Sequence, residues 1–222
     1  MIEKLYTNRF IIFFASQLAI LFGSLIFLVD FFESTLVPAL FLINIASGIL
    51  MISKNKVLFW LYTSLLLISF VVFGLDIVQR NTLESNFGIR LVVYFIFYVS
   101  VSISIIKQVW KAKRVNKNVI IGLMSGYISL GFIAFFMFSS IELYMPNSFS
   151  GITSTGIELA NKLDSLLYYG YITMLTIGYG DIVPITPIAQ KAAILVGLMG
   201  QFYTVIITAV VVEKYIKFSS KN

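Results

Sequence analysis

Long apolar runs alternate with short polar segments along almost the whole chain. Six of these runs are long enough, or nearly long enough, to cross a bilayer as helices. They span residues 10–29, 36–52, 57–75, 89–106, 119–141 and 188–212. The second run has only about 17 residues and contains Pro38, Asn44 and Ser47, so it is either a full span or a re-entrant segment. The pattern predicts an all-α membrane protein with six transmembrane helices.

A seventh apolar run, at about residues 164–175, is too short to span a bilayer. Asp164 followed by Ser165 is a helix start signal, with Asn161 as the alternative, so we expect a short helix that ends near Leu175. The segment before it, residues 144–162, is rich in Ser, Thr, Gly and Asn and is predicted to be an extracellular loop.

The distribution of charge predicts the orientation of the spans. With the N-terminus in the cytoplasm and all six runs crossing, twelve of the sixteen Lys and Arg residues lie on the inner side. Those on the outer side are Arg80, Arg90, Lys162 and Lys191. Eight of the ten acids lie outside. We therefore predict a multi-pass protein of the plasma membrane, in a prokaryotic inner membrane, with both termini in the cytoplasm.

Composition narrows the class of function. The chain is 59% hydrophobic and only 12% charged, which is typical of a membrane protein. It contains no cysteine and no histidine, which excludes disulfides, thiolate or imidazole metal sites and histidine-based catalytic triads. The first run has no small-residue cleavage site, so it is predicted to be an uncleaved helix. We expect neither an enzyme nor a cofactor.

The first four runs predict a four-helix bundle over residues 1–118, including a cytoplasmic linker. A voltage sensor needs several basic residues at three-residue spacing on its fourth helix. The fourth run has Arg90 at its outer end and no further charge before Lys107, so strong voltage sensing is not expected. Polar residues in the bundle, Asn44 and Ser100 among them, are interpreted as interhelical hydrogen-bond contacts.

The linker between the fourth and fifth runs is strongly basic. Its five cations are Lys107, Lys111, Lys113, Arg114 and Lys117. One interpretation is contact with anionic headgroups, with Trp110 as an interfacial anchor. The other is a regulatory site for a lipid phosphate, a nucleotide or an oligonucleotide. The stretch holds no base-reading or phosphate-cradling motif, so no sequence-specific nucleic-acid partner is predicted.

The stretch Thr176-Ile-Gly-Tyr-Gly-Asp181 follows the short helix. Gly178 and Gly180 can adopt backbone angles that other residues avoid, which allows successive carbonyl oxygens to turn to one side. Four such strands around an axis form rings of oxygens that can replace the water shell of a cation. Thr176 can add a ring of hydroxyl groups at the inner end.

These residues, with the segments around them, resemble the pore domain of tetrameric potassium channels. The resemblance covers residues 119–222 and rests on Asp164–Tyr169, Thr173, the stretch 176–181, Ile182–Pro187 and the last helix. It implies a homotetramer with a re-entrant pore helix, and a selectivity filter formed by Thr176, Ile177, Gly178, Tyr179, Gly180 and Asp181. It also implies that backbone carbonyls of Thr176, Ile177, Gly178 and Tyr179 bind the permeant K⁺.

The resemblance assigns roles to the aromatic and acidic residues near the filter. Tyr168 and Tyr169 are expected to form a cuff around Tyr179, and Asp181 a ring of carboxylates at the outer mouth. Leu175 departs from the family, which usually has a hydroxyl residue before the filter threonine. Tyr179 is the family's residue and supports potassium over sodium.

The last run has one polar face. Gly197, Gln201, Thr204 and Thr208 are spaced as neighbours on a helix, so Gln201, Thr204 and Thr208 are predicted to line an inner cavity, or else to pack against a neighbouring helix. Gly197 and Gly200 are predicted gating hinges or points of close helix packing.

We predict from these features a potassium-selective channel that is not strongly voltage-gated. Two alternatives remain open: a membrane-depolarising effector channel released by a partner or by a ligand at the basic linker, and a non-conducting channel subunit. From the short flanks of the first and last runs we expect no cytosolic ligand-binding domain. We therefore expect gating by lipid, tension, voltage acting on the filter, or a regulatory partner.

Overall fold

The computed structural model describes residues 8–28, 31–32, 36–52, 56–79, 86–111, 116–152 and 158–219. Helix α1 is Arg9–Phe22, followed by a 3₁₀ turn, Gly23–Leu25. The later elements are α2 Val37–Ile52, α3 Lys56–Gln79, α4 Phe87–Lys111, α5 Lys117–Tyr144, β1 Phe149–Ser150, α6 Glu158–Met174, β2 Val183–Pro184 and α7 Pro187–Ser219. For the described residues this helical content confirms the all-α prediction.

Four helices in the described part are long and apolar enough to cross a membrane. The candidate spans are Lys56–Leu75, Phe87–Lys111, Lys117–Tyr144 and Pro187–Lys214. Arg9–Leu25 and Val37–Leu50 are shorter apolar helices. A helix of 16 residues such as α2 extends about 24 Å, which is less than the roughly 30 Å of bilayer hydrocarbon. The first two predicted spans therefore stay predictions.

The chain divides into two compact units, and the first comprises Met1–Val109 and Lys117–Gly126. Aromatic rings fill its core: Phe97 is fully buried and contacts Phe13, Tyr62 and Tyr98 at ring-centroid distances of 6.3, 5.2 and 5.1 Å. A Cβ atom on Gly48 would lie 2.7 Å from the Phe97 ring, so the missing side chain lets α2 approach α4 closely.

Asn44 forms the predicted interhelical hydrogen bonds. Its side-chain amide donates to Ser16 Oγ at 2.8 Å, and its amide oxygen accepts from the hydroxyl of Tyr98 at 2.9 Å. Both bonds are buried and join α2 to α1 and α4. Ser100 and Ser104 donate instead to carbonyls one turn back on their own helix. A helical Ser can always satisfy its hydroxyl in this way, whereas the longer Asn side chain reaches a neighbour.

The second unit comprises Trp110–Asn116 and Tyr127–Asn222. Tyr171 on α6 packs into the space left by the absent side chain of Gly131 on α5, and its hydroxyl donates to the Ile128 carbonyl at 2.8 Å. Gly200 on α7 similarly admits the Met174 carbonyl, which the Cβ of any larger residue would overlap. These close contacts hold α6 against α5 and α7. The predicted division into 1–118 and 119–222 stays a prediction.

Candidate functional site

Helix α6 begins at Glu158, six residues before the predicted start at Asp164. The prediction was wrong because it relied on the capping propensity of Asp164 and Asn161. Glu, Leu, Ala and Lys in residues 158–163 are good helix formers, so the helix continues upstream. Asp164 then lies inside the helix, where its side chain is exposed and its carboxylate needs no backbone partner.

The C-terminal end of α6 is a Schellman motif that includes the start of residues 176–181, the predicted filter, which we call the filter strand. The Ile177 N–H donates to the Ile172 carbonyl at 2.9 Å, and the Thr176 N–H donates to the Thr173 carbonyl at 3.1 Å. Thr176 occupies the left-handed position of this motif with φ of 59°. Glycine is usual there, and a residue such as Thr is strained by about 1–3 kcal/mol. The end of α6 therefore sets the direction in which residues 176–181 leave it.

The sign of φ alternates along this filter strand. Thr176, Gly178 and Gly180 have φ of 59°, 58° and 83°, whereas Ile177 and Tyr179 are not in the positive region. In an extended strand, successive carbonyl groups point to opposite sides, but alternation between right- and left-handed angles turns them to the same side. This backbone is of the kind that the carbonyl-lined filter prediction requires.

The filter strand has few contacts along its own length. Ile177 is 47% exposed, Tyr179 is 71% exposed, and Thr176 is also exposed. A Cβ atom added to Gly178 or Gly180 would meet no atom within 4 Å. Within the described residues, the strand is therefore held mainly at its two ends.

The C-terminal end of the filter strand, which is the outer end in the predicted topology, is held by the loop that follows α5. Strand β1 pairs with β2 in antiparallel fashion, with Phe149 opposite Pro184 and Ser150 opposite Val183. Gly151, at φ of 84°, lies directly against the Asp181 carbonyl, where a Cβ atom would overlap the oxygen. We predicted only a polar loop here. In the sequence, the single apolar residue Phe149 among polar neighbours was the sign that part of this loop is anchored. In the structure Phe149 is 4% exposed.

A carboxylate at the end of α5 holds the start of the loop. The two oxygens of Glu142 accept the N–H groups of Asn147 and Ser148, each at 2.9 Å. Asn147 has φ of 65°, an angle that Asn tolerates better than most residues. Ser148 is fully buried. The bonds from Glu142 thus fix the loop at the point where it enters the interior.

Ser148 also binds the segment between the filter and α7. Its carbonyl accepts the Ile185 N–H at 2.7 Å, and its hydroxyl oxygen accepts from the Thr186 hydroxyl at 3.1 Å. Thr186 is the N-cap of α7, because its Oγ1 also accepts the Ala189 N–H at 3.3 Å. The polar contacts of Ser148 therefore connect the loop after α5 to the beginning of α7.

The two adjacent tyrosines of α6 have different roles. Tyr169 is 5% exposed and packs between Phe138 and Phe149, at centroid distances of 4.9 and 5.4 Å, so its expected place in a cuff around Tyr179 is wrong. Successive helix positions lie about 100° apart, which directs Tyr168 elsewhere. Tyr168 is 40% exposed and hydrogen-bonds to the Asp181 side chain. That bond, followed by desolvation and the nearby charge, raises the pKa of Tyr168.

The predicted polar face of α7 is exposed in the structure. Gln201, Thr204 and Thr208 are all exposed, and the Thr204 hydroxyl donates to the Gly200 carbonyl at 3.0 Å. α7 is helical without a break from Pro187 to Ser219. Gly200 is the point of contact with Met174, whereas Gly197 has open space where a side chain would be. The assignments of these residues to a cavity lining or a hinge stay predictions.

The basic linker is described in part. Lys107, Lys111 and Lys117 are exposed, while Lys113 and Arg114 lie outside the described residues. Trp110 is 61% exposed, and its carbonyl accepts a hydrogen bond from Lys214 Nζ on α7 at 2.9 Å. We did not predict this bond, since the two residues are 104 positions apart in the chain. The sequence indicated only that Trp110 and Lys214 each follow an apolar run on the predicted cytoplasmic side, which does not predict a bond between them.

Residues 122–217 match a family model described as "Ion channel". The match includes most of α5, all of α6, the filter strand and α7 to within two residues of its end. It supports an ion channel domain in this part of the chain and suggests a transporter-type membrane protein. No curated protein and no solved structure gave a significant match.

Proposed function

We propose, from the premise that residues 122–217 form an ion-channel domain, that four copies of this chain assemble into a potassium-selective channel. The observation that carries the proposal is the filter strand. Its φ sign alternates from Thr176 to Gly180, it is anchored at both ends, and it is exposed between them. A strand with this backbone offers a row of carbonyl oxygens to a cation, but only from one side.

The exposed surface supports assembly of several copies. One strand supplies too few oxygens to replace the hydration shell of K⁺, whereas four strands around an axis supply a complete ring at each level. Only 11% of the hydrophobic window in α7 is buried within one chain. Large apolar residues such as Phe202 and Val205 are 59% and 63% exposed. Neighbouring copies and lipid would cover these side chains in the assembled protein.

Conduction in such an assembly is passive. K⁺ loses water at the carbonyl oxygens of Thr176, Ile177, Gly178 and Tyr179, and adjacent ions displace one another along the filter. The Asp181 carboxylates raise the local cation concentration at the outer mouth. The C-terminal end of α6, which carries the negative end of the helix dipole, favours a cation on the inner side.

Strong voltage gating is not part of the proposal. Between Arg90 and Lys107, the α4 sequence contains no charged residue. Each elementary charge moved across the membrane contributes about 2.3 kcal/mol per 100 mV, so α4 offers too few charges for steep voltage dependence. We propose that gating acts instead through lipid, tension, a partner, or the filter itself.

Reversal potentials of the purified protein in planar bilayers or giant liposomes test this function. With K⁺ on one side and Na⁺ on the other, we expect a reversal potential that follows the K⁺ gradient. Equal permeability to K⁺ and Na⁺ would contradict the selectivity and would favour the depolarising effector. Absence of current, with the protein correctly assembled, would favour the non-conducting subunit.

A further inference from the structure

The turn after α1 exposes a group of large apolar side chains. Leu25 and Leu28 are 81% and 84% exposed, and the two residues between them are exposed as well. Single exposed apolar residues are ordinary on a protein surface, but a run of several in succession needs an apolar partner. We call this group the α1 tip, and it comprises Phe22, Leu25, Ile26, Phe27, Leu28 and Phe31.

The backbone of the α1 tip folds back on itself. The Gly23 carbonyl accepts the N–H groups of Ile26 and Phe27, both at 3.0 Å, and the Leu28 carbonyl accepts the Phe32 N–H at 2.9 Å. The buried Phe32 ring lies where a Cβ atom of residue 23 would be, and it stacks on Phe27 at a centroid distance of 6.5 Å. These N–H groups need no water, which is the condition for backbone that lies against hydrocarbon.

α1 is short for a membrane helix. Its 14 residues extend about 21 Å, and the 3₁₀ turn of 3 residues adds about 6 Å, against about 30 Å of bilayer hydrocarbon. α3 and α5, with 24 and 28 residues, extend about 36 and 42 Å. If Arg9 marks the inner surface of the membrane, the α1 tip lies at the boundary between acyl chains and headgroups of the outer leaflet.

The sequence around the tip agrees with that depth. Asp30 and Glu33 stand on either side of the two phenylalanines at 31 and 32. Carboxylates avoid the hydrocarbon and favour water or the headgroup region, whereas Leu and Phe favour the acyl boundary. The alternation of the two kinds of residue therefore suits a segment at the interface itself.

We propose that the α1 tip inserts into the outer leaflet and that the bilayer is thinner around α1 and α2 than around the other helices. α2, with 16 residues, extends about 24 Å, so both helices of this pair are shorter than the hydrocarbon. A bilayer accommodates a short apolar segment by local thinning, at a cost that increases with the mismatch. Tension and short acyl chains both thin a membrane, and they relieve this mismatch.

α1 also contacts the helix that leads into the ion-channel domain. Phe10 at the start of α1 is buried, and a Cβ atom on Gly122 of α5 would lie 3.0 Å from its ring. α5 continues as one helix to Tyr144, so a change in the tilt of α1 acts on α5. The inference that membrane thickness controls conduction rests on the proposed channel function. The insertion of the α1 tip does not depend on that function.

The absence of cysteine from the chain allows a direct test of insertion. Leu28→Cys places a nitroxide spin label at the α1 tip, and Tyr144→Cys places one at the end of α5, where the longer helix extends beyond the bilayer. Power-saturation spectra in phosphatidylcholine vesicles compare collisions with O₂, which concentrates in hydrocarbon, and with a water-soluble nickel complex. We expect the ratio of O₂ to nickel accessibility at Leu28 to be at least about threefold that at Tyr144.

Two results would overturn insertion. Greater nickel than O₂ accessibility at Leu28 would place the α1 tip in water, and low accessibility to both reagents would show that protein covers it, such as a neighbouring copy of the chain. Ile26→Cys provides a second labelled position that must give the same result. Size-exclusion profiles confirm that each labelled variant assembles.

K⁺ flux tests the consequence for conduction. In the parent protein, flux should differ at least about twofold between vesicles of short-chain and long-chain phosphatidylcholine. Leu25→Ser combined with Leu28→Ser should lose this dependence, whereas Val57→Ser, at an exposed position near the start of α3, should keep it. Equal flux from the parent protein in the two membranes would overturn the control by thickness. Insertion without flux in any lipid would contradict the channel function while the placement of the α1 tip stands.

Discussion

The backbone of Gly151 lies against the carbonyl oxygen of Asp181, so closely that no residue with a Cβ atom fits at position 151. The same glycine has φ of 84°, an angle that side-chain-bearing residues rarely adopt. The loop after α5 thereby supports the outer end of the filter strand through backbone atoms alone. A substitution at Gly151 should consequently affect ion selectivity, although its side chain would not enter the filter.

Gly151→Ala should increase the permeability of Na⁺ relative to K⁺. The added methyl group must displace the Asp181 carbonyl, and the left-handed angle itself is unfavourable for Ala by about 1–2 kcal/mol. Reversal potentials under mixed K⁺ and Na⁺ gradients measure the effect. Gly74→Ala is the control, because a Cβ atom there meets no atom within 4 Å. An unchanged permeability ratio in a folded Gly151→Ala protein would contradict the supporting role of this loop.

Tyr168→Phe should make conduction less persistent. The substitution keeps the ring and removes only the hydroxyl that hydrogen-bonds to Asp181, so the carboxylate at the outer mouth loses a donor. We expect a severalfold faster decline of current during sustained activity, measured in single-channel or macroscopic recordings. Tyr144→Phe is the matched control, since Tyr144 is 86% exposed. Identical decline in the two variants would show that the bond from Tyr168 has no role in conduction.

External pH should modulate the effect of Tyr168. The hydrogen bond raises the pKa of Tyr168, so its contribution is fully present below the ordinary tyrosine pKa of about 10 and is lost as pH rises through the higher folded value. The difference in current persistence between the parent protein and Tyr168→Phe should therefore be constant at neutral pH and disappear in strongly alkaline external solution. A difference that persists unchanged there would assign it to the ring's packing instead.

Glu142→Gln should lower thermal stability. The glutamate accepts two backbone N–H groups with two oxygens, whereas glutamine has one oxygen, so either the Asn147 or the Ser148 N–H loses its acceptor. Asn147 is exposed and its N–H can bond to water, but Ser148 is fully buried, and the loss of its acceptor costs about 1–3 kcal/mol. Thermal unfolding in detergent measures the loss. Asp164→Asn removes an exposed carboxylate from α6 and should change the unfolding temperature little. Equal shifts for both substitutions would exclude a specific role for the Glu142 bonds.

Replacement of Thr176 should separate stability from selectivity. Thr176→Gly removes the strain at φ of 59°, and Thr176→Ala keeps it, while both remove the hydroxyl. We expect the glycine variant to be more stable than the alanine variant by about 1 kcal/mol in thermal unfolding, because glycine suits the left-handed position of a Schellman motif. Both variants should conduct K⁺ less selectively. A more stable alanine variant would contradict the strain at this position.

The long helices could be predicted from the sequence, because a long apolar run is stable in a bilayer only as a helix that satisfies its own backbone hydrogen bonds. The four later apolar runs correspond to α3, α4, α5 and α7, each somewhat longer than its run because polar residues extend the ends. The start of α6 was missed, since Asp164 is also tolerated on an exposed helix face when good helix formers precede it. Local propensity alone does not choose between these two positions.

Contacts between distant parts of the chain were the harder problem. Gly178 and Gly180 indicated unusual backbone angles from the sequence. Thr176 also has a positive φ because it occupies the left-handed position that ends α6, and composition does not reveal that constraint. Likewise, the pairing of β1 with β2 depends on two residues from each strand, too few to produce a periodic pattern. Tyr168 and Tyr169 are the same residue type in adjacent positions, and they differ in their contacts only because the helix turns by about 100° from one to the next.

The bond between Ser148 and Thr186 has a mechanical consequence for α7. Because Thr186 caps the first turn of that helix and also binds the buried loop, the outer end of α7 is fastened at its very first residues. A rigid rod fastened at one end moves most at the other. Any tilt of α7 should therefore be small beside the filter and largest near Lys214, so a force applied there acts on the pore with the full length of the helix as its lever arm.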